Sequence, residues 1–584
     1  MAMKKIIIFL ITIAVLFILS CDDEFLDKRP LDGLNEAAVF NDPILLEYYV
    51  NEQYRSIGYG NARHWESKLT DESYGDENVH FQSGTLTPEN ITTYRYDNDP
   101  VYYSLVDYWE MAYEYIRNMN LFLEKTVDLD IEKEVLDVLT GEIYFLRAFT
   151  YFKLLKHYGG VPNIKIAISS LDATVTRNTV DETVAFILSD IDEALKRLPN
   201  NYFLNDLGYG RASKAAAFAL KSRLMLFATS PLFKDPVFTF NHPSTYTWAQ
   251  ARDAAKEAID SLESYGYERH DNYEEIFQNY DNNEGIFPKV FLPTKYEGHR
   301  VTHYHAPFGY GGYGGWSGKN CPTLNIVDDF EMTNGESPFI YVNGEKQINP
   351  ASGYSWELDS TNPYLNRDPR LRMAILTNND EFKGRPYEPW VHEHPDSTDG
   401  RDGLESPIST KIHDATSTGM NIRKYMNTEG TDGLTDQDRF DEPWWHFRLA
   451  EIYLNYAEAL FESGGDENVV REYVNIVRSR PGVEMPDITD TGDELRERIR
   501  KERRIELCYE GYRMWDLRRW KSAMEVENTP LEGYEITKMV DGTYRYRRYN
   551  VLDRSFLQQH YWIPIPYDEI VKNNGNLEQN PFYD

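Results

Sequence analysis

Leu449 to Ser463 reads LAEIYLNYAEALFES, Gly464-Gly465 follows, and Asp466 to Arg480 reads DENVVREYVNIVRSR. Ala450, Tyr453, Ala457 and Leu460 recur at helical spacing, so the first segment is a helix with one apolar face. Two glycines stop it, and a second helix of similar length begins at once. The pair has the span of a helix-turn-helix repeat of about 34 residues, a unit that buries its apolar face by stacking on copies of itself.

Working outward, the same pattern recurs without an exact consensus. In Glu142 to Tyr158, Phe145, Phe149 and Phe152 are helically spaced before Gly159-Gly160 and Pro162 end the run. Ser213 is the expected N-cap of a helix through Ala215, Ala216, Ala217, Ala219 and Leu220 to Ala228, whose alanines permit close helix approach. Trp248 to Leu262 and Tyr103 to Lys125 are read as further helices. The expected fold is therefore mainly α, a tetratricopeptide-like stack of helix pairs. Between Tyr265 and Trp445, Gly, Pro, Asn and Asp are frequent and helical stretches are short, which predicts a loop-rich face with a few short strands, such as Phe339 to Val342 before Asn343-Gly344.

The chain opens with Lys4-Lys5, an apolar run from Ile6 to Leu19, then Ser20 and Cys21. That run is shorter than the roughly 20 apolar residues a bilayer span needs. It reads as a lipoprotein export signal, residues 1–20, cleaved to leave a lipidated Cys21 that holds the protein to a membrane. Asp22, Asp23 and Glu24 follow, an acidic stretch of the kind that accompanies surface export in some outer-membrane lineages. No later apolar run resembles a membrane helix.

With 61 basic and 95 acidic residues the net charge is -34, which disfavours a nucleic-acid partner. Beyond Cys21 the chain has only Cys321 and Cys508, so no disulfide framework supports it. Aromatic residues are abundant, with 43 Tyr and 11 Trp, and their flat apolar faces with polar edges suit both cores and amphipathic ligands.

Tests for catalytic and cofactor chemistry return little. Gly309-Tyr310-Gly311-Gly312-Tyr313-Gly314 has dinucleotide-turn spacing, but no strand precedes it and no helix follows. It fails as a phosphate loop too, because Tyr313 stands at the first glycine before Gly318-Lys319 and Asn320 replaces Ser or Thr. His303 with His305 and His392 with His394 alternate as they would on one side of a strand, without a zinc-ligand spacing. Asp396 to Asp402 is acidic enough for calcium but lacks the full ligand spacing. No cofactor or metal is expected. Asp328, Asp329 and Glu331 are the carboxylates nearest the aromatic loop, the only basis for a glycosidase reading.

Ile499 to Leu507, IRKERRIEL, and Glu510 to Trp520, EGYRMWDLRRW, form an amphipathic helix of alternating charge, able to pair within or between helices, and an aromatic-basic turn. These residues resemble the signature of the SusD/RagB family of outer-membrane nutrient-binding lipoproteins. Phe145-Leu146-Arg147-Ala148, Gly159-Gly160-Val161-Pro162, Gly210-Arg211-Ala212-Ser213, Arg367-Asp368-Pro369-Arg370-Leu371 and Ile563-Pro564-Ile565-Pro566 are similar to family blocks and stand in the expected order.

The resemblance implies an N-terminal part, 21–264, and a C-terminal part, 265–584, packed as one unit. It implies a noncatalytic lipoprotein at the bacterial outer membrane that captures glycan, or in some members peptide, and delivers it to a TonB-dependent transporter of the SusC type. The family's aromatic arc is not a fixed motif. Candidate ligand residues therefore come from loop aromatics: Trp65 and Tyr74 around Thr70-Asp71-Glu72, then Phe81, Tyr94 and Tyr96 with Asn98, and Tyr310, Tyr313 and Trp316. A surface glycosidase and an outer-membrane assembly scaffold are the readings from other classes.

Overall fold

The computed structural model describes residues 36–58, 66–75, 79–94, 106–127, 129, 131–168, 174–294, 298–307, 310, 320–355, 362–394, 402–407, 415–428 and 439–583. The principal helices are α1 (Pro43–Gln53), α2 (Trp109–Lys125), α3 (Lys133–Tyr158), α4 (Val180–Arg197), α5 (Lys214–Thr229), α6 (Trp248–Ser264), α7 (Leu449–Glu462), α8 (Glu467–Arg478), α9 (Gly492–Glu506) and α10 (Arg513–Arg519). Each packs mainly on its neighbour in this order from α2 to α8, and α6 lies against α7 although 184 residues separate them (264 to 449). The stack is tetratricopeptide-like, as the helical periodicity predicts.

Local chemistry sets the helix ends. The Ser213 hydroxyl accepts the Ala216 N–H at 3.3 Å and starts α5 as expected. Thr179 and Glu182 form a reciprocal capping box at α4, and Thr247 and Gln250 another at α6, neither of which was anticipated. Asp466 caps α8 by accepting the Asn468 N–H at 2.9 Å, with Gly464 at φ +74 closing the preceding turn. The helix expected from Glu142 already begins at Lys133, and the one expected from Tyr103 begins at Trp109.

Gly160 is needed for a close approach. A Cβ there would lie 2.1 Å from the Asn178 carbonyl oxygen and 2.8 Å from the Thr179 carbonyl carbon, where the cap of α4 crosses the end of α3. Gly160→Ala is therefore expected to destabilise the protein by about 3 kcal/mol, the upper part of the overpacking range, in urea unfolding.

No described helix between Tyr265 and Trp444 exceeds five residues, in keeping with a loop-rich face. Its short strands include β1 (Ser73–Tyr74), β2 (Gly285–Lys289), β3 (Cys321–Pro322), β4 (Phe339–Val342), β5 (Glu345–Ile348), β6 (Val391–His392) and β7 (Trp444–Arg448), followed by the longer β8 (Leu531–Lys538) and β9 (Tyr544–Leu552). The predicted Asn343-Gly344 turn joins β4 to β5, both residues at positive φ as a two-residue hairpin requires. β8 pairs antiparallel with β9 and parallel with β6, a sheet the sequence patterning did not anticipate.

Two large buried cores result, with a small third cluster of Met225, Leu226, Ala251, Ala254 and Ala459. One lies among the helices, centred on residues such as Phe145, Leu220 and Ile452, and the other lies beneath the loops, around Tyr273, Trp390, Tyr425 and Trp444.

Candidate functional site

The charged motif at α9 and α10 holds the loop face to the helices, and its buried charges pair mostly between elements, whereas Arg500 pairs within α9 with Glu497. Glu506 bonds Arg448 at 2.7 Å, Arg480 at 3.2 Å and Arg370 at 2.9 Å, all fully or almost fully buried. Glu502 meets Arg370 and, at 2.9 Å, Arg478. Arg503 bonds Asp516 at 2.8 Å, and Arg519 and the Trp520 indole N–H converge on Glu458. The helix thus presents charge to the interior, where each group is matched.

The same motif fixes the segment that carries two candidates. Asp71 receives Arg513 at 2.8 and 3.0 Å and Arg504 at 2.7 Å. Burial would raise the Asp71 carboxyl, but these guanidiniums override it and hold it well below the carboxylate range. Neighbouring Glu72 is pushed up to about 8 by burial and then by the Asp71 charge. From this anchor the chain runs into β1, which pairs with β3 so that Tyr74 faces Cys321. The Thr323 N–H donates to the Glu72 carbonyl at 3.0 Å, its hydroxyl donates to the Asp71 carbonyl at 2.5 Å, and the Asn320 amide donates to the Ser67 hydroxyl at 3.2 Å. Glu66 follows Trp65 directly and Asn320 closes the 309–319 loop. The fold therefore brings the flanks of two candidate segments side by side. Gln82 donates to the Lys68 carbonyl at 3.1 Å and links in the third.

Of the individual candidates, Tyr74 is half-buried on β1. Tyr310 is not an exposed loop ring: it is fully buried, its hydroxyl donates to the Arg385 carbonyl at 3.2 Å, the Arg385 guanidinium lies 3.6 Å from its centroid, and Phe382 packs against its edge. Flanking glycines do not make a ring free: Tyr310 is held by Arg385 and Phe382. Phe81, 9% exposed, also packs inward. Cys21, Trp65, Tyr96, Asn98, Tyr313, Trp316 and the side chain of Tyr94 lie outside the described residues.

Tyr549 on β9 was missed. It is half-buried, its hydroxyl donates to the Ser417 carbonyl, and burial first of all pushes that hydroxyl up to about 12. Nothing in the local pattern of β9 marks it, because it pairs with Gly533 in the hairpin while its hydroxyl partner, Ser417, lies 132 residues away.

The remaining chemistry is structural. Asp328 is buried and bonded by Arg548 at 2.6 Å and by Lys346; burial would raise its carboxyl, yet the two cations lower it. Glu331, 3% exposed, pairs with Arg478 at 2.9 Å and with Arg498. A glycosidase needs one carboxyl kept protonated and both open to substrate, and neither residue offers this.

His303 and His305 are buried in the short helix Val301–His305, not on a strand face, so alternate positions do not place them together. Only His392 is on a strand, with His394 exposed beyond it. Among the described residues no group of three or more His, Cys, Asp or Glu is arranged to hold a metal ion. Cys321 and Cys508 are both buried, and burial pushes the Cys508 thiol up to about 12.

A stacked-helix support, a loop face pinned to it by a buried Arg-carboxylate network, and two short strands that gather distant loop segments define a tetratricopeptide-like helical protein of a particular kind. A model described as "SusD family" matches residues 270–583, and one described as "Starch-binding associating with outer membrane" matches residues 24–226. The chain belongs to the SusD family. It is 24% identical over the full length of both chains to the SusD-like protein P2 of Formosa agariphila. It is 26% identical to the starch-binding protein SusD of Bacteroides thetaiotaomicron, over 82% of this chain and 78% of that one. Similar solved structures include a SusD-like protein from Bacteroides fragilis, at 28% identity and a TM-score of 0.74 over 95% of this chain and 100% of that one. A SusD-like carbohydrate binding protein from the same species, at 25% identity, has a TM-score of 0.71 over 92% of this chain and 99% of that one.

Proposed function

We propose that this protein is a noncatalytic lipoprotein of the outer-membrane surface, anchored through Cys21, that captures glycan and passes it to a SusC-type TonB-dependent transporter. Family membership, with relatives named for starch and carbohydrate binding, is the observation that carries the reading. The meeting of the described flanks of these candidate segments, at Ser67 to Tyr74, Gln82 and Asn320 to Thr323, supports it, because stacking on several aromatic faces is how a neutral sugar is held in water. The 21–264 and 265–584 parts act as one unit, with the charged motif as their joint.

Isothermal titration of the purified protein against an oligosaccharide panel tests the capture. Saturable heat is expected with at least one glycan, and Tyr74→Ala should weaken it by about 2- to 12-fold, the loss of one aromatic contact worth about 0.5–1.5 kcal/mol. Silence toward every glycan together with saturable peptide binding would transfer the proposal to peptide capture. A Cys21→Ala variant should bind in solution yet fail to support uptake by cells, and normal uptake would remove the anchor from the mechanism. Copurification of a TonB-dependent transporter with the lipidated protein tests the partner.

A further inference from the structure

Helices α3 and α4, with Asn163, Lys165 and Asn178, line an open cleft of about 680 Å³ that shares no residue with β1, β3 or β9. Its volume lies within the roughly 300–1,000 Å³ of small-molecule sites. The room comes from α4, where Ala185 and Ser189, four residues apart and exposed, place small side chains along one helix face.

The floor is electrically neutral and rigid. Arg147 donates twice to Asp190, at 2.8 and 2.7 Å, and once to Asn120 at 2.6 Å, and the ion pair is almost fully buried. Phe186 adds an apolar surface, with the Lys165 ammonium 5.5 Å from its ring centroid.

The walls keep hydrogen-bonding capacity in reserve. One oxygen of Glu182 takes the Thr179 N–H at 2.8 Å and the Asn178 amide at 3.2 Å, while the other has no donor among the described residues. The Asn163 side-chain oxygen is buried and likewise has no donor among them. The second Glu182 oxygen can accept and the Lys165 ammonium can donate, so the walls offer both kinds of hydrogen bond.

The charge balance narrows the ligand class. Glu182 at the mouth repels anions, Lys165 offsets it against cations, and Glu193 is already paired with Lys196 at 2.6 Å and with Arg197. A neutral polyhydroxyl ligand, which offers both donors and acceptors, meets these walls without leaving a charge unpaired. We propose that this cleft is a second sugar site on the helical support, holding the end or a branch of a neutral oligosaccharide; the proposal rests on the glycan-capture reading. With Tyr144 and Phe186 already flanked by cations rather than open for stacking, the site is weaker than an aromatic platform.

Saturation-transfer NMR on the purified protein, with glucose, galactose, mannose and xylose and their short oligomers as probes, tests this. The expected result is transfer from the wild type to at least one sugar, with a weaker component that Ala185→Trp and Ser189→Tyr each reduce at least about fivefold by filling the cleft, and that Tyr74→Ala leaves in place. Melting curves confirm that the variants fold, and should both filling variants fail, Glu182→Gln with Asn163→Ala reads the same component. Sugar binding unaffected by these substitutions overturns the second site and leaves glycan capture standing. No transfer to any sugar overturns both. Transfer to argininamide or displacement by inorganic phosphate at the cleft, without sugar binding there, overturns the neutral ligand class.

Discussion

Glu506→Ala should abolish cooperative folding. The Glu506 carboxylate sits among Arg448, Arg480 and Arg370, none of which reaches water. Burial alone would raise its carboxyl, but the three guanidiniums reverse that and hold it far below the ordinary glutamate range. Removing one partner of a buried ion pair costs about 3–5 kcal/mol, because the other charge stays desolvated and unmatched. Here three cations lose a shared partner, while a whole protein is stable by only about 5–15 kcal/mol. Arg448 retains Glu284 and Glu510, and Arg480 retains Glu284, so the loss is shared but not cancelled. The expected outcome is insoluble protein, or a urea transition displaced by at least about 4 kcal/mol, with Glu506→Gln intermediate. A change below about 1 kcal/mol would refute the central role given to this network.

Glu72→Gln should stabilise the protein strongly at pH 8 and by only about 1 kcal/mol at pH 5. The folded chain holds the Glu72 carboxyl protonated up to about 8, whereas an unfolded glutamate ionises near about 4.3. A raised carboxyl gives its full stability below the unfolded value and loses it as pH climbs through the folded one. The loss therefore falls between about pH 4.3 and pH 8, with a limiting slope of about 1.4 kcal/mol per unit.

Asp71, Arg504, Arg513 and the Tyr509 N–H at 3.4 Å surround the group. Glutamine copies the neutral acid, so it retains that hydrogen bond and removes the titration. Lys153 and Lys156, lowered by burial to about 7 and about 8, slope the other way at higher pH. The informative quantity is thus the difference between variant and wild-type melting temperatures at pH 5, 6.5 and 8. That difference should grow steadily with pH, and a constant offset would show that Glu72 is ionised throughout.

The helices were legible because their causes are local. Ser213, Asp466 and Gly464-Gly465 mark ends that hydrogen bonds within a few residues enforce, and the Phe145, Phe149 and Phe152 spacing marks a buried face. The Asn343-Gly344 hairpin was legible for the same reason, since only its two central residues need positive φ. The β8–β9 hairpin was not, although it is local, because its strands carry Glu and Arg among apolar residues and blur the alternation, and its third strand, β6, comes from a distant part of the chain. Asp328 and Glu331 passed as candidate acids until Arg548 and Arg478, 220 and 147 residues away, were found to neutralise them.

The sequence by itself determined the helical stack, the loop-rich interruption and, through the IRKERRIEL and EGYRMWDLRRW stretches, the family. Periodicity, caps and motif spacing are short-range properties that survive in a linear string. Only the tertiary structure decided that Glu502, Arg503 and Glu506 face inward, that Tyr310 is buried against Arg385 and Phe382, and that α3 and α4 leave a cleft between them. Burial and charge pairing arise when distant segments meet, and the free energy of a charged or aromatic side chain is set by those neighbours.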